Sequence, residues 1–189
     1  MTENRSLSPE QRDAALHALV GADPGAVVEA ALQLSEDAST TSHLVQLLET
    51  QTRPEVRQGI LYALCWHGQP GLWDLMVEVL SNPREDPKVR GQAAEGLSYL
   101  FSYLTTDSRE FASGVKALLE ALNDSSVEVR YCAVHALGAT GHPPLIPALE
   151  RMREDPTPAP GWIGTVADEA RRALEFLEGA YSMRKRRGR

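Results

Sequence analysis

Cysteine is scarce in this 189-residue chain, which has only Cys65 and Cys132. Neither sits in a Cys-x-x-Cys pair or a Cys/His cluster, which argues against a disulfide framework and a thiolate metal site and fits a reducing compartment. Long apolar runs are also missing; none approaches the roughly 20 residues a bilayer crossing needs. The opening MTENRSLSPEQR lacks the apolar centre of a secretory leader, so the expectation is a soluble, cytoplasmic protein. The chain has no Gly-rich phosphate loop and no Gly-x-Ser-x-Gly elbow. None of the five histidines (His17, His43, His67, His135, His142) is followed by Glu. His135 and His142 lie seven apart with no acidic or Cys third ligand beside them, so packing accounts for them better than a metal. Cys65 and His67, two apart on a helix, point to different sides. The expectation is therefore no cofactor, no metal and no catalysis.

Charge is plentiful but uneven. The formal net charge is −7, yet five of the last six residues are basic (Arg184, Lys185, Arg186, Arg187 and Arg189). Without that segment the chain holds 14 Lys/Arg against 26 Asp/Glu. A body this acidic repels phosphate backbones, which makes nucleic acid an unlikely partner, and it suits a basic protein. Hydrophobic residues make up 42% and charged residues 24%, ordinary globular values that exclude disorder as the main state.

One pattern recurs along the chain. PEVRQGILYALCWHG from Pro54 returns as PKVRGQAAEGLSYLF from Pro87 and VEVRYCAVHALGATG from Val127. With the Arg as position zero, apolar or small residues fall at −1, 3, 6 and 7, which form one helical stripe. Two further copies fit more loosely: VADEARRAL, with Ala167 in the Arg slot and Leu174 at seven, and PGAVVEAAL, with Gly25 in the slot and Leu32 at seven. Each copy follows another apolar helix. The first of these has Ser8 as N-cap, Pro9 at the first helical position and Gln11 closing a capping box. Short breakers (ADPG, QTRP, SNPREDP, NDSS) separate the members of each pair. A lone pair cannot bury its apolar face, whereas stacked pairs share a continuous core. The fold expected is all-α: a right-handed α-solenoid of about five antiparallel helix pairs at 7–36, 42–68, 71–104, 109–141 and 144–179. They form one domain over 1–179, followed by a basic, flexible tail at 180–189.

These residues resemble HEAT repeats, specifically the bacterial HEAT-like kind that includes lyase relatives. The best copy runs from Leu122 to Met152, with Asp–x–x–x–x–Val–Arg, Ala–Leu–Gly and Gly-x-x-x-Leu/Ile-Pro-x-Leu landmarks. The resemblance implies that the recurring Arg ties the turn between helices to neighbouring repeats through an Asp. Arg57, Arg90 and Arg130 are thus expected to be structural, with Asp86 placed before Arg90 and Asp124 before Arg130. The missing Arg in the first and last copies and the extra residues in LFSYLTTDSREF depart from the pattern.

The resemblance also implies that the second helix of each pair lines a concave face. A helical wheel puts positions 1, 5, 8 and 12 opposite the core stripe. These include Gln58, Tyr62, Cys65, Gly91, Glu95, Tyr131, His135, Asp168, Arg172 and Glu175, with Trp66 and Tyr99 on the flank. Tyr and Trp dominate interface hot spots. Tyr62, Trp66, Tyr99, Tyr131 and His135 are the candidate anchors, and Glu95, Asp168 and Glu175 the steering charges. Gap filling between helices is the other reading of Trp66 and Tyr99. In the Pro-rich loop PTPAPGWIGT, Trp162 is expected to fold back over the end of the core. The function expected is a non-catalytic scaffold binding a basic protein. The alternatives are a toxin-neutralising immunity protein and, among enzymes, a HEAT-like phycobilin lyase or DNA glycosylase relative. The iron-binding His-Glu pairs of HEAT-scaffold hydroxylases are missing.

Overall fold

A computed structural model describes residues 6–187. Among them are ten α-helices in five sequential pairs and no β-strand. The chain divides between Leu72 and Trp73 into two compact units.

The first unit holds α1 (Pro9–Leu19), α2 (Pro24–Ser35), α3 (Thr41–Thr50) and α4 (Pro54–Trp66). The starts are locally encoded. Ser8 accepts from the Gln11 amide while the Gln11 side chain accepts from the Ser8 amide, and Asp23 caps α2 through the Gly25 amide. Proline opens α1, α2 and α4, where its missing N–H costs nothing. Leu19, Leu34, Leu44, Ile60, Leu61 and Leu64 are fully buried. Gly59 lets α4 approach closely: a Cβ there would lie 3.2 Å from Leu19 and 3.4 Å from Ala31. Arg12 bonds the buried Asp37 at 2.9 Å. Arg57 donates to the carbonyls of Leu48 and Gln51 at 2.6 and 2.9 Å, which closes the end of α3. His67 is a core residue, with Nε2 donating to the Leu34 carbonyl at 2.9 Å and Nδ1 at 2.8 Å from Thr41 Oγ1.

The first repeat corrects the alignment. Leu32 and Val28, expected in the core stripe, are 48% and 60% exposed, whereas Leu34 and Val27 are buried. The shared landmark is the helix start. Counting ten residues on from Pro54, Pro87 and Val127 reaches Leu64, Leu97 and Leu137, and the same count from Pro24 reaches Leu34. Val27 therefore stands where the other repeats carry Arg.

The second unit holds α5 (Trp73–Ser81), α6 (Pro87–Leu100), α7 (Arg109–Ala121), α8 (Val127–Ala139), α9 (Ile146–Met152) and α10 (Val166–Arg187). Consecutive helices pair, and α6 packs on α8 and α8 on α10. The extra residues after α6 begin with a 3-10 turn, Phe101–Tyr103, and continue as a turn into α7. Phe101 meets Trp73 and Phe111 edge-on, with ring centroids 5.0 and 5.3 Å apart. Trp73 lies so close over Gly114 that a Cβ there would come within 2.1 Å of its ring. Arg90 pairs with Asp124 of the following repeat, and Arg130 Nε pairs with Asp155 of the one after at 2.8 Å. The Asp ahead of each Arg does something else. Asp86 caps α6 through the Lys88 amide, and Asp124 meets Arg130 only through its backbone carbonyl. The expected basic tail also differs at backbone level, since α10 continues to Arg187. Gly188 and Arg189 lie outside the described residues.

Candidate binding site

The second unit brings several predicted face residues together on α6, α8 and α10. Glu95 of α6 accepts from Gln92 Nε2 at 3.2 Å and from the Tyr99 hydroxyl at 3.3 Å. Burial pushes its carboxyl above the ordinary value, against the charge of nearby His135 and the bonds from Tyr99 and Gln92. His135 Nδ1 lies 2.9 Å from Glu169 Oε1, and Arg172 Nε donates to Glu169 Oε2 at 2.8 Å. Burial would raise the Glu169 carboxyl, but its bonds to His135 and Arg172 outweigh that and hold it below the usual range. In return the Glu169 bond raises the His135 imidazole, against burial and the charge of Arg172, with help from Glu95.

Tyr131 corrects the helical-wheel reading. It is 5% exposed rather than open. Its ring stacks beside Trp162, centroids 5.2 Å apart, and its hydroxyl donates to the Ile163 carbonyl at 3.3 Å while accepting from Arg172 at 2.8 Å. The cover comes from the 156–165 loop, a tight hairpin. Ala159 N–H donates to the Gly164 carbonyl at 3.3 Å, and Gly161 and Gly164 take φ of 83° and 90°. At such φ a side chain is strained, and a Cβ on Gly164 would also meet Asp168 at 2.8 Å. Asp168 is likewise structural. It accepts from the Thr165 amide and hydroxyl at 2.8 and 2.7 Å while Thr165 caps the Asp168 amide, a capping box that starts α10. Cys65 and Gly91, also placed on the open side by the wheel, are buried.

The hairpin, α8 and α10 border a solvent-open cavity of about 780 Å³ lined by Tyr131, Trp162, Ile163, Phe176, His135, Glu169 and Arg172. Glu169 and Trp162 were not singled out for this site from sequence, Trp162 being expected only as a core cap. Glu169's place one helical turn before Arg172, which is in register with His135 of the preceding second helix, was the available signal. In the first unit, Trp66 is 51% exposed with Tyr62 tilted against it at 6.3 Å. Burial raises the Cys132 thiol well above its ordinary pKa, so it is no nucleophile at neutral pH. Among the described residues no three His, Cys, Asp or Glu side chains cluster to hold a metal, and no helix is long and apolar enough to cross a membrane.

This all-α architecture of sequential helix pairs defines a helical-repeat protein of the α-solenoid class. Residues 84–160 match the family model for HEAT repeats. Among solved structures it is similar to a chain of the CpcE–CpcF complex of phycocyanin lyase from Nostoc sp. PCC7120. That match has 18% identity and a TM-score of 0.64, over 90% of this chain and 99% of that one. It is also similar to a designed armadillo repeat protein, at 20% identity and a TM-score of 0.56, over 86% and 80% of the two chains. At such identities the likeness is one of fold. No curated protein sequence matches the chain.

Proposed function

We propose that this chain is a non-catalytic scaffold that binds a basic protein through the open side of its second helices. The observation that carries the reading is exposed aromatic and aliphatic surface in a protein with only 6% aromatics. Trp66 stands out beside Tyr62 in the first unit, and Ile163 and Phe176 are 85% and 60% exposed in the second. Large rings left in water beside polar groups are the usual anchors of a protein interface. In this reading Trp66 and Tyr62 are contact residues of the first unit. Tyr99, Glu95, His135 and Arg172 are contact residues of the second, and Tyr131 and Asp168 hold that surface from beneath. The acidic body supplies long-range attraction and orientation for a basic partner. A cytoplasmic setting agrees with a chain that holds only two cysteines, both buried.

An affinity pull-down of the tagged chain from its native lysate, at low and high salt, tests this. The eluate is read by mass spectrometry and absorbance. One abundant basic protein, released by high salt, is the expected result. A bound chromophore or metal with no protein would overturn the reading in favour of the enzyme alternatives.

A further inference from the structure

The cavity beside the hairpin has an unusual polarity. Its carboxylate, Glu169, is 7% exposed and has both oxygens engaged, Oε1 with His135 Nδ1 and Oε2 with Arg172 Nε. Arg172 Nη2 is also committed, to the Tyr131 hydroxyl at 2.8 Å and the Ile163 carbonyl at 2.9 Å. Among the described residues, His135 Nε2 and Arg172 Nη1 make no hydrogen bond, and their side chains are 44% and 47% exposed. One carboxylate thus lies beneath an imidazole and a guanidinium and holds them side by side. Arg172 Nη1 is an N–H donor, and His135 Nε2 becomes one when the imidazole is protonated, although the protein as a whole is acidic. Around them stand Trp162 and Phe176, with small Gly138 and Ala173 at the floor.

We propose that this cavity binds a carboxylate carried on an aromatic or branched apolar body, the carboxylate against His135 Nε2 and Arg172 Nη1 and the body against Trp162 and Phe176. Paired charge-assisted bonds are the strong way to hold a carboxylate, and an aromatic wall with a few convergent polar groups is the ordinary form of a ligand pocket. The same chemistry can come from a small free acid or from the C-terminal residue of a protein chain. This inference shares His135, Arg172 and Phe176 with the surface assigned above to a protein partner, but titration with isolated acids reads the cavity alone, so either reading can fail without the other.

The groups facing His135 are Glu169 and Arg172 from α10 and Glu95 from α6, with the Tyr131 hydroxyl joined through Arg172. His135 donates from Nε2 while protonating Nδ1 toward Glu169 only in its charged form, so binding strengthens as pH falls through the raised His135 pKa and weakens above it.

The test titrates the full chain with phenylacetate against phenylacetamide. In parallel it uses a hexapeptide ending in Phe with a free against an amidated C-terminus. Affinity is measured by calorimetry, and the Trp162 indole signal is followed by NMR. A preference of about tenfold or more for the charged member in either series is expected, and the series that shows it identifies the source. That preference should fall by most of its size in His135→Gln, and the pH dependence should vanish with it. Arg172→Gln should also lose it, but Arg172 fixes the hairpin as well, so its fold is checked by circular dichroism. His135 is surface-accessible and gives the independent readout. No carboxylate preference in either series, or a preference that survives His135→Gln, would overturn the proposal.

Discussion

At the scale of single residues, exposure and burial divide the aromatics in a way their spacing did not reveal. Tyr131 and Tyr62 occupy equivalent or near-equivalent outward positions on the wheel, yet Tyr131 lies under Trp162 while Tyr62 is only half covered. Tyr131→Ala should therefore cost about 3 kcal/mol, the scale of a large core truncation, measured by urea unfolding. Tyr62→Ala combined with Trp66→Ala should change stability by no more than about 1 kcal/mol and still abolish capture of the partner. A large loss of stability in that double variant would show that the two rings hold the fold rather than a partner. The burial of Tyr131 was illegible because its cover arrives from a hairpin some thirty residues later in the chain. That hairpin's shape depends on Gly161 and Gly164 at positive φ, and a repeat-based reading contains no copy of it.

At the scale of elements, the helix starts were the most legible feature. Ser8 with Gln11, Asp23, Asp86 and Ser108 all accept from amides of their own first turns, and such caps act over three residues of sequence. The outward faces were less legible. Helix α8 touches α6 on one side, α10 on the other and α7 within its own pair. Its buried residues therefore run nearly all round: Val129, Tyr131, Cys132, Ala133, Val134, Ala136, Leu137 and Gly138. A wheel that assumes one buried stripe is misled by such a helix. Gly138 marks the tight side, since a Cβ there would lie 2.6 Å from that of Ala173. Between repeats, the Arg–Asp pairs act as ties. Arg90 and Asp124 have side chains only 10% and 15% exposed, and removing one partner of such a pair leaves a poorly solvated charge. Asp124→Ala should thus destabilise by about 3 kcal/mol, again by urea unfolding. The tie of Arg130 to Asp155 carries a pH signature. Burial alone would raise the Asp155 carboxyl, but bonds from Thr157 and Arg130 hold it below its ordinary 3.8. A carboxyl lowered by folding adds stability above its unfolded pKa and loses it as pH falls through the folded value. Melting temperature should drop on acidification below about pH 4, and Asp155→Asn should flatten part of that slope.

At the scale of the molecule, the class of fold was legible because it needs only periodicity. Ten residues from helix start to core leucine, repeated four times, specify pairs that must stack. The division between Leu72 and Trp73 was not legible, since the repeat pattern runs through it without a break in composition. Each unit nevertheless has its own fully buried residues: Leu19, Leu34, Ile60 and Leu64 in the first, and Met76, Leu97, Leu118 and Leu137 in the second. In repeat proteins stability is close to a sum of local and nearest-neighbour terms, so a core lesson learned in one repeat need not spread evenly. Leu137→Ala should cost roughly 2–5 kcal/mol. Amide hydrogen exchange locates that loss. Protection should fall by about 30-fold or more for α8, where Leu137 is fully buried, and for α10, which packs on α8, and by clearly less for α2 and α4. An equal fall across all four helices would mean that the whole chain opens as one cooperative unit, and the two compact units would then be a matter of geometry without thermodynamic independence.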